Sequence, residues 1–313
     1  MADTVEITVI VENYIDIFLP ATDVAIYPVP GKGSRLIGEQ GLSLWVDVRR
    51  GGERTRIIYD FGRSSRTFFH NLRLLDLDVT QADYLVLSHA HIDHFGALGR
   101  VLSGTGTGCT LVMHDAAVGK KKYIRLKDGS CIGPWEIKPA LVNSWTGKTV
   151  FNTGAFPISP DVVLSGKIER RTDFEPEMAA ACVKSGPGII HDTIPEDQAL
   201  YIDIEGRGIL VITGCCHAGL VNTIEKALEL FPGRGIYGIV GGFHLNGADE
   251  RQMEETMARL SRLAFSYIAP LHCTGYYASR KLMERFPAEW IAGTVGMRMK
   301  FHGVAGSTGA PTT

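Results

Sequence analysis

The 313-residue sequence has no surplus of either charge: 32 Lys+Arg stand against 34 Asp+Glu, a formal net charge of −2. A chain whose main partner is a nucleic-acid backbone is usually basic, so that function is disfavoured for the chain as a whole, although a local basic patch stays open. No apolar run reaches the roughly 18 residues of a bilayer-spanning helix. None of the six cysteines forms a C-x-x-C pair, which removes zinc ribbons and thioredoxin-like redox motifs. The start Met1-Ala2-Asp3-Thr4 has neither a basic segment nor a signal-peptide apolar core. These absences lead to the expectation of a soluble, cytoplasmic protein with reduced thiols, bound to neither membrane nor nucleic acid.

What is present is an ordinary globular composition, 45% hydrophobic and 21% charged, with 36 glycines that imply many tight turns or close backbone approaches. Alternation predicts strands at 5–11 and 42–48, the latter with Leu42, Leu44, Val46 and Val48 on one face. A third strand at 56–60 follows the Gly51-Gly52 turn as a hairpin. A helix is predicted at 66–76, then short strands at 84–87 and 110–113 with a histidine-rich turn and a helix between them. From 199 onward strand–helix units dominate: strands at 199–204, 208–213, 236–240 and 267–270, and helices at 218–231, 249–264 and 277–286. The stretch 115–195 shows no sustained period and is rich in proline, so it reads as an insertion in a single domain spanning 1–302. The Gly/Ser/Thr/Pro-rich tail, 303–313, reads as frayed.

The segment that carries chemistry is Ser88-His89-Ala90-His91-Ile92-Asp93-His94. Three histidines and an aspartate follow a buried strand within six positions. Imidazole nitrogen and carboxylate oxygen are ligands for zinc, manganese and iron, and burying such groups unpartnered is costly. On a tight turn His89 and His91 can face one way while Asp93 and His94 begin a helix and face another. One loop would then feed two adjacent ions. His244, on a Gly-Gly turn after a strand, is a candidate proton donor or anion-binding group. His114 reads as a packed residue, and His70 and His302 as surface residues.

The H-x-H-x-D-H signature after a short hydrophobic strand resembles the metallo-β-lactamase superfamily. That resemblance implies an α/β fold, a four-layer αββα sandwich, with a mono- or binuclear metal site along one edge. It further implies that Asp60, in Tyr59-Asp60-Phe61-Gly62, supports the metal-binding loop from behind, and that His272 supplies the last histidine ligand. His217 takes the histidine role before the bridging position, with His191 as its rival. Cys215 stands in Gly214-Cys215 where many members carry a bridging aspartate, either as a ligand or as a buried thiol. The blocks 213–219, 241–245 and 270–275 are similar to a narrower branch, the 7,8-dihydropterin-6-methyl-4-(β-D-ribofuranosyl)aminobenzene-5′-phosphate synthase-like proteins.

The implied metal ligands are therefore His89, His91, Asp93, His94, His217 and His272, holding one or two divalent ions, zinc first, with manganese or iron as alternatives. Asp93 and His244 are the catalytic candidates, Asp93 as both ligand and proton acceptor. Lys120–Lys122, Arg125, Arg170 and Arg171 either clamp a phosphate or form a solvated basic face. Trp135 and Trp145 either stack on a flat ring or anchor the insertion. The leading expectation is a metal-dependent hydrolase of a small molecule using activated water. The alternatives are a pterin-linked synthase or transferase acting on a dihydropterin and a phosphorylated ribofuranosyl-aminobenzene, or a di-iron redox or oxygen-binding protein. A nuclease is disfavoured by the charge balance, a metal-binding scaffold remains the non-catalytic option, and a homo-oligomer stays open.

Overall fold

A computed structural model describes residues 1–29, 31 and 35–304; the expected tail beyond Val304 lies outside the described residues. The predicted strands, joined by others that the sequence did not announce, form two large sheets. The first has eight strands in the order Ala25–Ile26, Arg298–His302, Thr4–Val11, Ser43–Arg50, Glu53–Tyr59, Tyr84–Val86, Thr110–Met113 and Lys148–Phe151. The second has six, in the order Phe156–Ser159, Val162–Leu164, Leu200–Ile204, Gly208–Thr213, Ile236–Gly242 and Tyr267–Leu271.

Alternation sets which faces meet. Strand Thr4–Val11 pairs antiparallel with Ser43–Arg50, Ile7 opposite Val46, and with Arg298–His302, Ile7 opposite Met299. Val5, Ile7, Val9, Leu44, Val46 and Val48 thereby point inward, against Leu200, Ile202, Leu210, Ile212 and Val240 of the second sheet. All of these are essentially inaccessible to solvent. Burying a side chain of this size stabilises the fold by about 1.5–3 kcal/mol, so this seam dominates the energetics.

The outer faces are covered by helices. On the first sheet, Phe68 and Leu72 of helix Ser65–Leu74 pack with Leu98, Val101 and Leu102 of helix Leu98–Gly104. On the second, Ile224, Met253 and Leu282 represent helices Leu220–Leu230, Glu250–Leu260 and Tyr276–Arg285. The layer order is α–β–β–α, as the resemblance implied.

The stretch 115–195 is less separate than its sequence suggests. Lys148–Phe151 closes one edge of the first sheet, and Phe156–Ser159 with Val162–Leu164 closes one edge of the second. Only Lys122–Arg125, Cys131–Trp135, Ala181–Ser185 and Gly188–His191 form a sheet of their own. Strands of three to five residues with prolines at 134 and 157 are too short to show a period in the sequence. No helix among the described residues is long and apolar enough to cross a membrane.

Candidate metal centre

Parallel pairing brings the chemical residues to one edge. Glu53–Tyr59, Tyr84–Val86 and Thr110–Met113 run parallel in the first sheet, and Gly208–Thr213, Ile236–Gly242 and Tyr267–Leu271 run parallel in the second. The loops leaving their carboxyl ends carry Asp60, His89–His94, Cys215–His217, His244 and His272. This is where open parallel sheets generally place their sites. Asp60, Cys216, His244 and His272 adopt positive φ of 61°, 57°, 48° and 48°. Non-glycine residues enter that region at a steric cost, and such residues collect at functional sites.

The loop splits its ligand candidates into two groups, as its spacing allows. His89, His91 and His217 form one, and Asp93, His94 and His272 the other, with the ligand atoms of each within 4.8 Å of one another. In the first group His89 Nε2 lies 3.0 Å from His91 Nδ1 and 3.2 Å from His217 Nε2. In the second, His272 Nε2 lies 3.2 Å from His94 Nε2 and 3.4 Å from Asp93 Oδ2. Cys215 sits between them, its Sγ 3.1 Å from His94 Nε2, and it also groups with His89 and His94 and with His217 and His244.

These donors fit a divalent cation. Imidazole nitrogens facing one another at such distances need a shared proton or a cation between them, and nitrogen, carboxylate and sulfur are the donors zinc accepts. The five clustered histidines His89, His91, His94, His217 and His272 are all buried. Burial and neighbouring imidazoles push His89 and His217 well below the ordinary imidazole value. Burial likewise brings His91 down to about 3, so these rings are neutral, the ligating form. His94 differs: burial would lower it, but the Asp60 carboxylate outweighs burial and lifts it to about 9. For Asp93 burial would raise the carboxyl, but the His272 and His94 rings outweigh it and hold the group below the usual carboxylate range.

The outer partners orient the rings. Fully buried Asp60 accepts from His94 Nδ1 at 2.6 Å and from the Ser88 amide and hydroxyl at 2.7 Å each, while Ser88 Oγ lies 2.9 Å from His89 Nδ1. Gly214 makes room for this contact, because a Cβ there would collide with Ser88 Oγ. His272 Nδ1 lies 2.9 Å from Asn13 Oδ1, and its backbone N–H donates to Glu12 Oε2 at 2.8 Å. Burial pushes Glu12 up to about 7.

Several other expectations are redirected. His191 belongs to none of the clustered groups; it ends an edge strand and its Nε2 pairs with Glu177 at 2.7 Å. The basic run is not one clamp. Lys120, Lys121 and Arg125 are exposed, while Lys122 is buried and locked to Asp192 at 2.5 Å and Glu196 at 2.6 Å. Arg170 donates to the His217 carbonyl, and Arg171 pairs with Glu229. Trp135 makes a T-shaped contact with His91, the ring centres 6.3 Å apart, whereas Trp145 packs against the core cluster on the outer face of the first sheet. His244 is half-buried, with its ring centre 4.3 Å from that of His217 and its Nδ1 without a hydrogen-bond partner. Sequence reasoning missed Ser88, Glu12, Asn13 and Cys273. The acidic residue that closes an apolar first strand was the available signal for Glu12.

The metallo-beta-lactamase superfamily model matches residues 37–202, more than half of the chain. A 7,8-dihydropterin-6-methyl-4-(beta-D-ribofuranosyl)-aminobenzene-5′-phosphate synthase of Methanocaldococcus jannaschii is 26% identical over 277 residues, covering 87% of this chain and 93% of that protein. An uncharacterized protein of the same organism is 30% identical over 254 residues, 80% of this chain and 90% of its own length. Among solved structures, Tm1679, described as a metal-dependent hydrolase of the beta-lactamase superfamily, superposes with a TM-score of 0.73 at 22% identity, covering 95% of this chain and 99% of that one. The metallo-beta-lactamase fold protein YhfI from Bacillus subtilis gives 0.51 at 12% identity, covering 96% and 100%. With its fold, its H-x-H-x-D-H loop and this family match in agreement, the chain belongs to the metallo-beta-lactamase superfamily.

Proposed function

We propose that the protein is a small-molecule enzyme with a two-ion centre, and that its reaction is hydrolytic. The observation that carries this reading is the division of six side chains into two groups of three, His89–His91–His217 and Asp93–His94–His272. Divalent ions held there supply Lewis acidity and an acidified water at neutral pH. Zinc suits the nitrogen-rich donors best, with manganese and iron as alternatives.

The chain's own residues do the rest. Asp60 keeps a proton on His94 Nδ1 and thereby leaves Nε2 free to ligate. Asn13 fixes the orientation of the His272 ring. Asp93 and His244 are the partly exposed members among the buried ring cluster, so substrate approaches past them. Asp93 accepts a proton there, and His244, with its free Nδ1, donates one to the leaving group or orients an anionic substituent. Trp135, in T-shaped contact with His91, borders the same approach.

A second reading, a pterin-linked synthase, is favoured by the 26% identity to the named synthase over most of both chains. Incubation with a phosphorylated ribofuranosyl-aminobenzene and a dihydropterin whose side-chain methylene carries a diphosphate leaving group, released as the new bond forms, followed by mass spectrometry, separates the two. Joined product supports the synthase. Turnover of esters, lactones or phosphate esters, without joined product, supports the hydrolase. Metal content near zero in a folded sample purified without chelator overturns both.

A further inference from the structure

We propose that Cys273 is a metal ligand together with Cys215, so that the centre offers a two-thiolate face and takes a thiophilic divalent ion there. The inference rests on the metal-binding reading above and adds a donor that the histidine–aspartate pattern does not contain.

Cys215 Sγ, Cys273 Sγ and a His272 ring nitrogen lie within 4.8 Å of one another, a third group beside the two histidine-rich ones. Cys215 Sγ is 3.1 Å from His94 Nε2, so one thiol already faces the second group. Cys273 is half-buried and is surrounded by polar partners. It receives the His244 N–H at 3.3 Å and donates to the Cys215 carbonyl at 3.6 Å.

The backbone is shaped to bring this thiol in. Strand Tyr267–Leu271 ends in a tight turn, with His272 at φ 48° and Gly275 at φ 76°, so that consecutive residues His272 and Cys273 both face the centre. Gly242 lies beneath; a Cβ there would collide with Gly214 O and approach Cys273 Sγ to 2.7 Å. Buried cysteines usually behave as small apolar residues, and Cys109, within the outer core of the first sheet, does so. Cys273 belongs to none of the apolar clusters among the described residues. Thiolates favour zinc over manganese or magnesium, whose preferred donors are oxygen. Each thiol releases its proton to solvent on ligation.

The test uses the full chain stripped of metal and titrated with cobalt(II), with bound cobalt measured by plasma mass spectrometry. A strong sulfur-to-cobalt charge-transfer band is expected in the near ultraviolet. Cys273→Ser and Cys215→Ser should each lose about half of it, since one of two thiolates remains. X-ray absorption of the zinc-loaded wild type needs no variant; its sulfur count per zinc, multiplied by the measured zinc per chain, should come to two sulfur scatterers per chain. One sulfur scatterer per chain after that normalisation, or a band unchanged in Cys273→Ser, overturns the assignment of Cys273. Cobalt bound with visible d–d bands but no charge-transfer band overturns the thiolate face and leaves the histidine centre standing. A folded chain that binds no cobalt overturns both.

Discussion

Asp60 grips Ser88 twice, Oδ1 on the backbone N–H and Oδ2 on the hydroxyl, each at 2.7 Å, and the same Oδ2 takes His94 Nδ1 at 2.6 Å. One buried carboxylate thus holds both ends of the loop that carries His89, His91, Asp93 and His94. Asp60→Asn removes the charge while keeping the shape. Metal affinity should fall about 10–100-fold, the range for loss of such an orienting partner. Competition with a chromophoric chelator measures it; unchanged affinity would mean the loop holds itself.

His91→Ala and His272→Ala should each lose one ion and nearly all activity while remaining folded, because each ring belongs to a different group of three. Metal content by plasma mass spectrometry and far-ultraviolet circular dichroism together check this. Both variants keeping two ions would refute the division of ligands.

Removing metal with a chelator should lower the thermal midpoint, and added zinc should restore it. A ligand at 100 times its dissociation constant adds about 2.7 kcal/mol to stability. Differential scanning calorimetry with and without zinc reads the shift, and identical melting curves would argue against a bound ion.

Gly214→Ala places a methyl group against Ser88 Oγ. Overpacking of this kind costs about 1–3 kcal/mol, measurable as a lower urea midpoint. The same variant should bind metal more weakly, because Ser88 supports His89 and Asp60. A neutral result would show that the loop can move aside.

Lys122→Met leaves the buried carboxylates of Asp192 and Glu196 without their cation. Breaking a buried pair from one side costs about 3–5 kcal/mol. Urea unfolding should show a loss of that size. If instead stability is kept and only the KM for a phosphorylated substrate rises, Lys122 is a substrate contact after all.

The sheets were legible where strands were long enough to alternate. Residues 42–48 announced their inward face through Leu42, Leu44, Val46 and Val48, and alternation marked 5–11 as a strand. Strand Arg298–His302 went unread, although Met299 and Phe301 alternate with Arg298, Lys300 and His302. Its five residues, bounded by charge, make a weak period, and only pairing with Thr4–Val11 gives it a face to bury. The H-x-H-x-D-H loop was legible as a cluster because four candidate donors fall within six adjacent positions. Cys273, Asn13 and Lys122 were not, because their roles depend on contacts between elements far apart in the chain. Lys122 shows the difficulty best. In sequence it is one lysine of three, and only the fold buries it between two carboxylates.

The two groups of three share a further property. Each takes two donors from the loop at 89–94 and its third from the other half of the chain, His217 or His272. As the polypeptide leaves the ribosome, the first half can present only two of the three members of either group. Structural zinc sites take four donors and catalytic sites at least three from the protein. On the two-ion reading proposed above, acquisition of the ions would be deferred until the second sheet has been made and docked on the first, tying cofactor loading to the last step of assembly.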